Sequence, residues 1–339
     1  MATRETKQQA VAEPVPLPTQ AAAGGRRWFR GDCHVHSVAS NGGELTPAQI
    51  VAGAQAAGLD FIATTEHNTA EMHGAWGEID DGLLVILGQE VTTKTGHWLA
   101  LGVEPGQVVD WRYGVHDGKV DEPLAEVHGV NGLCVAAHPY APYPTGTFEY
   151  PYDQFDVVEV WNGPWASNVP WQADNEAALA EWEHTLAAGI QQGGWRPAIG
   201  NSDTHLDGQI GVPHNVVLAT ELSTDAILAG LRAGQSWIAA TSAVEISFVA
   251  SSGQLVANIG ERTMPADEPV VARLTVRGVP SGVASFHTER GLVHTASLAD
   301  SRSDDVQWHV GGEKPVFIRV EVRDVRGHMA ALTNPIILV

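Results

Sequence analysis

Residues 31–37 read Gly31-Asp32-Cys33-His34-Val35-His36-Ser37. Side chains alternate along an extended chain, so on a strand His34 and His36 project from one face while Cys33 turns the other way, into a core. Two imidazoles on one face can grip a single cation. An isolated pair of this kind occurs by chance about as often as it marks a site, and the reading gains its force from what lies downstream. The apolar run 61–63 leads into Thr65-Glu66-His67-Asn68, and 83–87 leads into Gly88-Gln89-Glu90. Likewise 133–136 leads into Ala137-His138-Pro139, and 198–199 into Asn201-Ser202-Asp203-Thr204-His205, while His97 stands just before the run 98–101. Barrel enzymes assemble their sites at the C-terminal ends of strands. Any one of these histidines is more commonly a packed or surface residue, but six such coincidences together argue for one metal centre.

Around these motifs, residues 29–242 alternate short apolar runs with helix-like segments, the rhythm of a β/α architecture. A helix is predicted after Thr46-Pro47, with Ile50, Val51 and Ala54 on its apolar face and Gly58 as its stop. Two more are predicted, from Asn175 to Ala188 and from Ser223 to Gly234. After residue 243 the texture changes to alternating β-formers such as Ala272-Arg273-Leu274-Thr275-Val276, with no helical period, which predicts a small antiparallel sandwich over 243–339. Residues 1–28, with scattered charge, several prolines and a Gly-Gly pair, read as a flexible leader without the apolar core of a signal peptide.

The 339 residues carry 40 acidic and 19 basic side chains, a formal charge of −21. A surface of that sign repels polyanions, which counts against nucleic-acid or anionic-membrane partners. No run approaches the roughly 20 apolar residues of a membrane-spanning helix. The two cysteines, Cys33 and Cys134, make no disulfide framework. These features predict a soluble, cytoplasmic protein with a small-molecule substrate; they leave its oligomeric state open.

The ordered motifs Asp32-Cys33-His34-Val35-His36-Ser37, Thr65-Glu66-His67-Asn68, Gly88-Gln89-Glu90, His97, Ala137-His138-Pro139 and Ser202-Asp203-Thr204-His205 resemble those of the polymerase-and-histidinol-phosphatase (PHP) superfamily. The Gly31-Asp32 lead-in, the run Gly200-Asn201-Ser202-Asp203-Thr204-His205 and the tail Leu332-Thr333-Asn334-Pro335-Ile336 look most like its carbaryl-hydrolase-like (CehA/McbA) branch. The resemblance implies a distorted (β/α)7 barrel, followed here by the β-sandwich, with two or three divalent ions (zinc, manganese or iron) at its mouth. It implies that His34, His36, Glu90 and Asp203 hold one ion, that Glu90 bridges to a second held with His97 and His138, and that His67 and His205 serve a third. Glu90, Asp203 and His205 would be the catalytic members. Asn41 stands where the family usually has an acidic or imidazole ligand, and an amide binds a transition metal more weakly. Glu66 replaces a usual aspartate and is expected to orient a ligand rather than bind metal.

Imidazole with carboxylate suits these metals independently of the resemblance, and a hydroxide held between two cations would serve as nucleophile. No serine elbow is present. Substrate contacts are expected among Asn41, Asn162, Lys94 and Arg196, with solvated surface charge the commoner reading of Lys94 and Arg196. Trp161, Trp165 and Trp171 either line a pocket or cover the barrel edge. The expected activity is hydrolysis of a small phosphate mono- or diester. The alternatives are hydrolysis of a carbamate, ester or amide, and a non-catalytic metal-binding role; a nuclease role ranks low because no basic stripe is present.

Overall fold

Strand β1 (Arg27–Val35) is buried from Phe29 onward and organises everything around it. The computed structural model describes residues 25–77, 82–166, 172–263, 268–300 and 303–339. Most of the expected leader lies outside these residues, and its last two positions belong to β1, so the first strand starts earlier than residue 29. Then follow α1 (Pro47–Ala56), β2 (Phe61–Thr64), α2 (His73–Gly77), β3 (Leu84–Thr93), β4 (Gly96–Leu101), α3 (Asp121–Gly129), β5 (Leu133–Ala136), β6 (Val157–Asn162), α4 (Asn175–Gln192), β7 (Ala198–Asn201), β8 (His214–Ala219), α5 (Thr224–Arg232) and β9 (Ser236–Ala239).

The ladders explain why ligand types gather at one end. Strands β1, β2 and β3 pair in parallel, as do β5, β6 and β7. Between them β4 pairs antiparallel with both β3 and β5, so β3 and β5 run the same way. Six strands therefore end on one side, and β4 begins there. This meander also departs from regular β/α alternation: β3 turns into β4 through Thr93–Gly96 without a helix, and α2 has only five residues. Strand β7 has no ladder to β1 or β8; buried asparagines join them instead. Asn215 accepts from the Gly200 N–H at 3.0 Å and donates to its carbonyl at 2.9 Å, while Asn201 accepts from the Cys33 N–H at 2.9 Å. An amide side chain offers the donor and acceptor of a missing strand.

Local signals account for the helices. Thr46 caps α1 in a reciprocal box with Gln49, Pro47 opens it, and Gly58 (φ 72°) ends the turn. Helix α4 runs past the expected Ala188 and stops at left-handed Gly193.

The remaining chain is all β among the described residues: β10 (Glu245–Ser252), β11 (Leu255–Asn258), β12 (Val270–Arg277), β13 (Val283–Thr288), β14 (Gly291–Ser297), β15 (Ser303–His309), β16 (Phe317–Arg323), β17 (Met329–Thr333) and β18 (Ile336–Ile337). Strands β11-β10-β12-β15 form one sheet, and β14-β13-β16-β17 continue the large sheet through pairing of β17 with β9. Phe248, Leu274, Phe286, Val320 and Val322 belong to the core between the two. Asn334 ties the tail to the first region: it accepts from the Ala198 N–H at 2.8 Å and donates to the carbonyls of Ala198 (2.9 Å) and Ser236 (3.1 Å). Arg319 makes a second tie, fully buried over the ring of Trp182 and paired with Glu183 of α4 and Glu321.

Candidate metal centre

His34 is the penultimate residue of β1, and His36 follows the strand's end. The His36 N–H donates to Thr204 (2.9 Å) and the Thr204 N–H to His34 (3.3 Å), which lays Asp203 beside both imidazoles. In the same way His67 and Glu90 form a parallel bridge after β2. His138 and Asp203 both adopt left-handed backbone (φ 26° and 53°). That conformation is unfavourable for residues other than glycine and is held only where surrounding contacts over-determine it.

Glu90, 1 % exposed, sits at the centre. Its Oε2 lies 2.9 Å from His67 Nε2, 3.3 Å from His36 Nε2 and 3.5 Å from His34 Nε2. Its Oε1 lies 2.8 Å from His97 Nδ1 and 3.0 Å from His138 Nε2. Asp203 Oδ1 stands 3.1 Å from His36 Nε2 and 3.3 Å from His34 Nε2. Three sets of ligand atoms converge: His34, His36 and Asp203; His34, Glu90 and His138; and His36, His67 and His205.

Whether these residues suit a cation is decided by their unsatisfied atoms. Among the described residues, His34 Nε2, His36 Nε2, His138 Nδ1 and Asp203 Oδ1 are buried without a hydrogen-bond partner, and the first, second and fourth come together in one ligand set. Orphaned buried polar atoms are costly, and a divalent ion would satisfy the three that meet; His138 turns Nε2, not its orphaned Nδ1, towards Glu90. Charge agrees. Burial would raise the Glu90 carboxyl, but the imidazoles of His67, His97 and His34 outweigh it and hold it well below the carboxylate range. Burial likewise opposes charge on Asp203 and is outweighed by His34 and His36. Burial pushes His36 down to about 3, leaving a neutral imidazole of the form a metal takes. The residues fit divalent metal.

His205 is half-buried, stacked 4.2 Å from the His36 ring, with Nδ1 2.9 Å from the Asp203 carbonyl oxygen. Asn162 Nδ2 donates to Asp203 Oδ2 at 3.3 Å. The other substrate candidates are not gathered here. Asn41 is exposed in the turn after His36. Lys94 is 69 % exposed at its side chain and faces Asp117 at 3.7 Å. Arg196 lies at the opposite end of β7 from Asp203 and donates to the carbonyls of Gly194 and Asp153. Trp161 and Trp165 meet edge to face at 5.1 Å and line a cavity of about 550 Å³ shared with Val279, Pro280 and Met329, at the seam with the β region. Trp171 lies outside the described residues.

Four residues outside the expected ligand set complete the surroundings. Asp32 accepts from the N–H groups of His34, Ser202 and Gly211, joining β1 to the Asp203 loop. Glu66 accepts from Ser40 Oγ at 2.6 Å, and Ser40 Oγ lies 3.0 Å from His36 Nδ1, so Glu66 orients His36 through a hydroxyl. The Tyr143 ring lies 5.8 Å from that of His97, folded over Gly146, where a Cβ would stand 2.1 Å from the ring. Glu159 is fully buried against His34. Its signal in the sequence is a lone charge inside the apolar run 157–161.

No protein-family model matches the chain, and no curated protein matches it. Among solved structures, it is similar to a two-domain protein from Bacteroides vulgatus containing a predicted PHP-like metal-dependent phosphoesterase. The identity is 17%, over 99% of this chain and 100% of that one, with a TM-score of 0.52. PsfC from Pseudomonas syringae matches at 16% identity over 60% of this chain and 87% of its own, TM-score 0.42. A candidate metal-dependent phosphoesterase from Bifidobacterium adolescentis matches at 19% over 52% and 88%, TM-score 0.36. The chain shares its fold with the first of these from end to end.

Proposed function

We propose that this chain is a metal-dependent hydrolase of the PHP type, acting on a small phosphate mono- or diester. The observation that carries the reading is the meeting of buried, partnerless His34 Nε2, His36 Nε2 and Asp203 Oδ1 beside the Glu90 carboxylate. In this reading residues 29–242 are the catalytic barrel and 243–339 a second domain, and the 200–205 run and the 332–336 tail support membership of the carbaryl-hydrolase-like branch. His34, His36, Glu90 and Asp203 would hold one ion, Glu90, His97 and His138 a second, and His67 with His205 a third.

Zinc, manganese or iron held there would lower the pKa of water and neutralise charge developing on the ester. The protein's own part is to place the donors. Glu90 offers one oxygen to each half of the centre. Asn162 holds Asp203 Oδ2, which leaves Oδ1 directed at His34 and His36. His205, with Nδ1 turned to a carbonyl, keeps Nε2 at the mouth as a site that can bind an ion or take a proton.

A second reading, hydrolysis of a neutral carbamate, ester or amide, is favoured by the turning of Lys94 and Arg196 away from the centre. Metal-supplied protein assayed on p-nitrophenyl phosphate, its bis-ester and an aryl carbamate separates the two. Turnover of either phosphate ester supports the first; turnover of the carbamate alone supports the second, and inactivity on all three, with metal bound, favours the non-catalytic role.

A further inference from the structure

Glu159 is a fully buried carboxylate on β6, in a strand whose other side chains are apolar up to Asn162. Among the described residues no arginine or lysine pairs with it; donors from His34, Asn201, His138 and Asn162 use its lone pairs instead. Oε1 faces His34 Nδ1 at 3.1 Å and accepts from Asn201 Nδ2 at 2.7 Å. Oε2 accepts from the His138 N–H at 2.8 Å and from Asn162 Nδ2 at 3.2 Å. Two carboxylate oxygens offer about four acceptor sites, so all are occupied. Every contact leads to a residue that holds, or supports, a ligand atom.

The consequences are specific. A carboxylate only accepts, so the His34 nitrogen facing it carries a proton and is engaged there, which leaves Nε2, aimed at Asp203 Oδ1 and Glu90 Oε2, as the nitrogen a metal can reach. The His138 peptide, in its left-handed conformation, is held by its N–H. Asn162 uses the same Nδ2 for Glu159 and for Asp203 Oδ2, which sets that carboxylate's rotation. We propose that Glu159 is a positioning residue of the metal centre, fixing the tautomer of His34 and the placement of His138 and Asp203. It rests on the metal-dependent reading above. A carboxylate behind an imidazole ligand raises its basicity and locks its orientation, and loss of such a partner weakens metal binding roughly 10- to 100-fold.

The test compares the full chain with Glu159→Gln, which keeps shape but puts a donor where two donors already point. Zinc affinity by chelator competition should fall roughly 10- to 100-fold in the variant, and the visible spectrum of the cobalt-loaded protein should change, while the melting temperature of the metal-free protein stays close to the parent's. Unchanged zinc affinity and cobalt spectrum overturn the proposal and leave the metal centre standing. Failure of the parent to bind zinc overturns both. Should the variant not fold, the unaltered chain answers by nuclear magnetic resonance, loaded with spin-active cadmium and nitrogen-labelled histidine. Coupling of cadmium to His34 Nε2 with Nδ1 protonated supports the role, and coupling to Nδ1 overturns it.

Discussion

Replacing Glu90 by glutamine removes the one group that faces both halves of the metal centre. An amide keeps one acceptor and turns the other position into a donor. Whichever way it sits, either the pair of His97 (2.8 Å) and His138 (3.0 Å) or the trio of His67, His36 and His34 (2.9–3.5 Å) loses its oxygen. The size of the effect is read through stability, because an ion that binds only the folded chain stabilises it. At a hundredfold excess over the dissociation constant, each ion contributes about 2.7 kcal/mol. An unfolding entropy of about 2.1 cal/mol/K per residue, applied to 339 residues, gives about 0.7 kcal/mol/K. Each ion therefore raises the melting temperature by about 4 °C. Calorimetry of chelator-treated protein, before and after addition of zinc or manganese, should show this rise in the parent, and Glu90→Gln should lose most of it. An equal rise in parent and variant would refute the bridging position of Glu90.

Other perturbations probe the frame that holds the centre. A Cβ at Gly88 would stand 2.7 Å from the Ala100 carbonyl oxygen and 2.8 Å from that of Thr64, both backbone; Gly88→Ala should cost about 1–3 kcal/mol in urea unfolding. Burial, with the Arg30 guanidinium 3.1 Å from Nε2, pushes His214 down to about 4 from 6.5. Between those values the unfolded chain takes a proton that the folded chain refuses, so stability falls as pH drops. The loss through this residue is about 2 kcal/mol from pH 7 to pH 5, and His214→Gln should flatten the measured slope by that amount. Arg319→Met removes the buried cation between Glu183 of α4 and Glu321 of β16; since Arg323 and His287 stay beside the acidic pair, the loss should be about 1–3 kcal/mol in the same assay.

What could be read from the sequence was local. The His34–His36 alternation, the positions of His138 and Asp203 just past their strands, and the Thr46–Gln49 cap each depend on a few neighbouring residues, whereas Glu90 lies inside β3, which runs on from the expected run 83–87 to Thr93. The convergence of those strand ends also followed, because parallel strands bring like ends together. The orientation of β4 explains why His97, at the start of a strand, joins residues that end theirs. Glu159 carried only a weak signal, since apart from Asn162 on its own strand its partners come from β1, β7 and the turn after β5 and are adjacent only after folding. Lys94 and Arg196 mark the opposite limit: position beside a motif says little about where a long side chain turns, and both found partners elsewhere. The β9–β17 ladder that merges the two regions is a long-range pairing with no local signature, whereas the switch to alternating β-formers after residue 243 was plain.

The account stands most directly on divalent metal held by buried imidazole and carboxylate. Elemental analysis of the purified protein after dialysis against zinc, manganese or iron should find more than one ion per chain in the parent and a clear loss in Asp203→Asn and Glu90→Gln. A parent that retains no metal, or variants that retain as much as the parent, would contradict it.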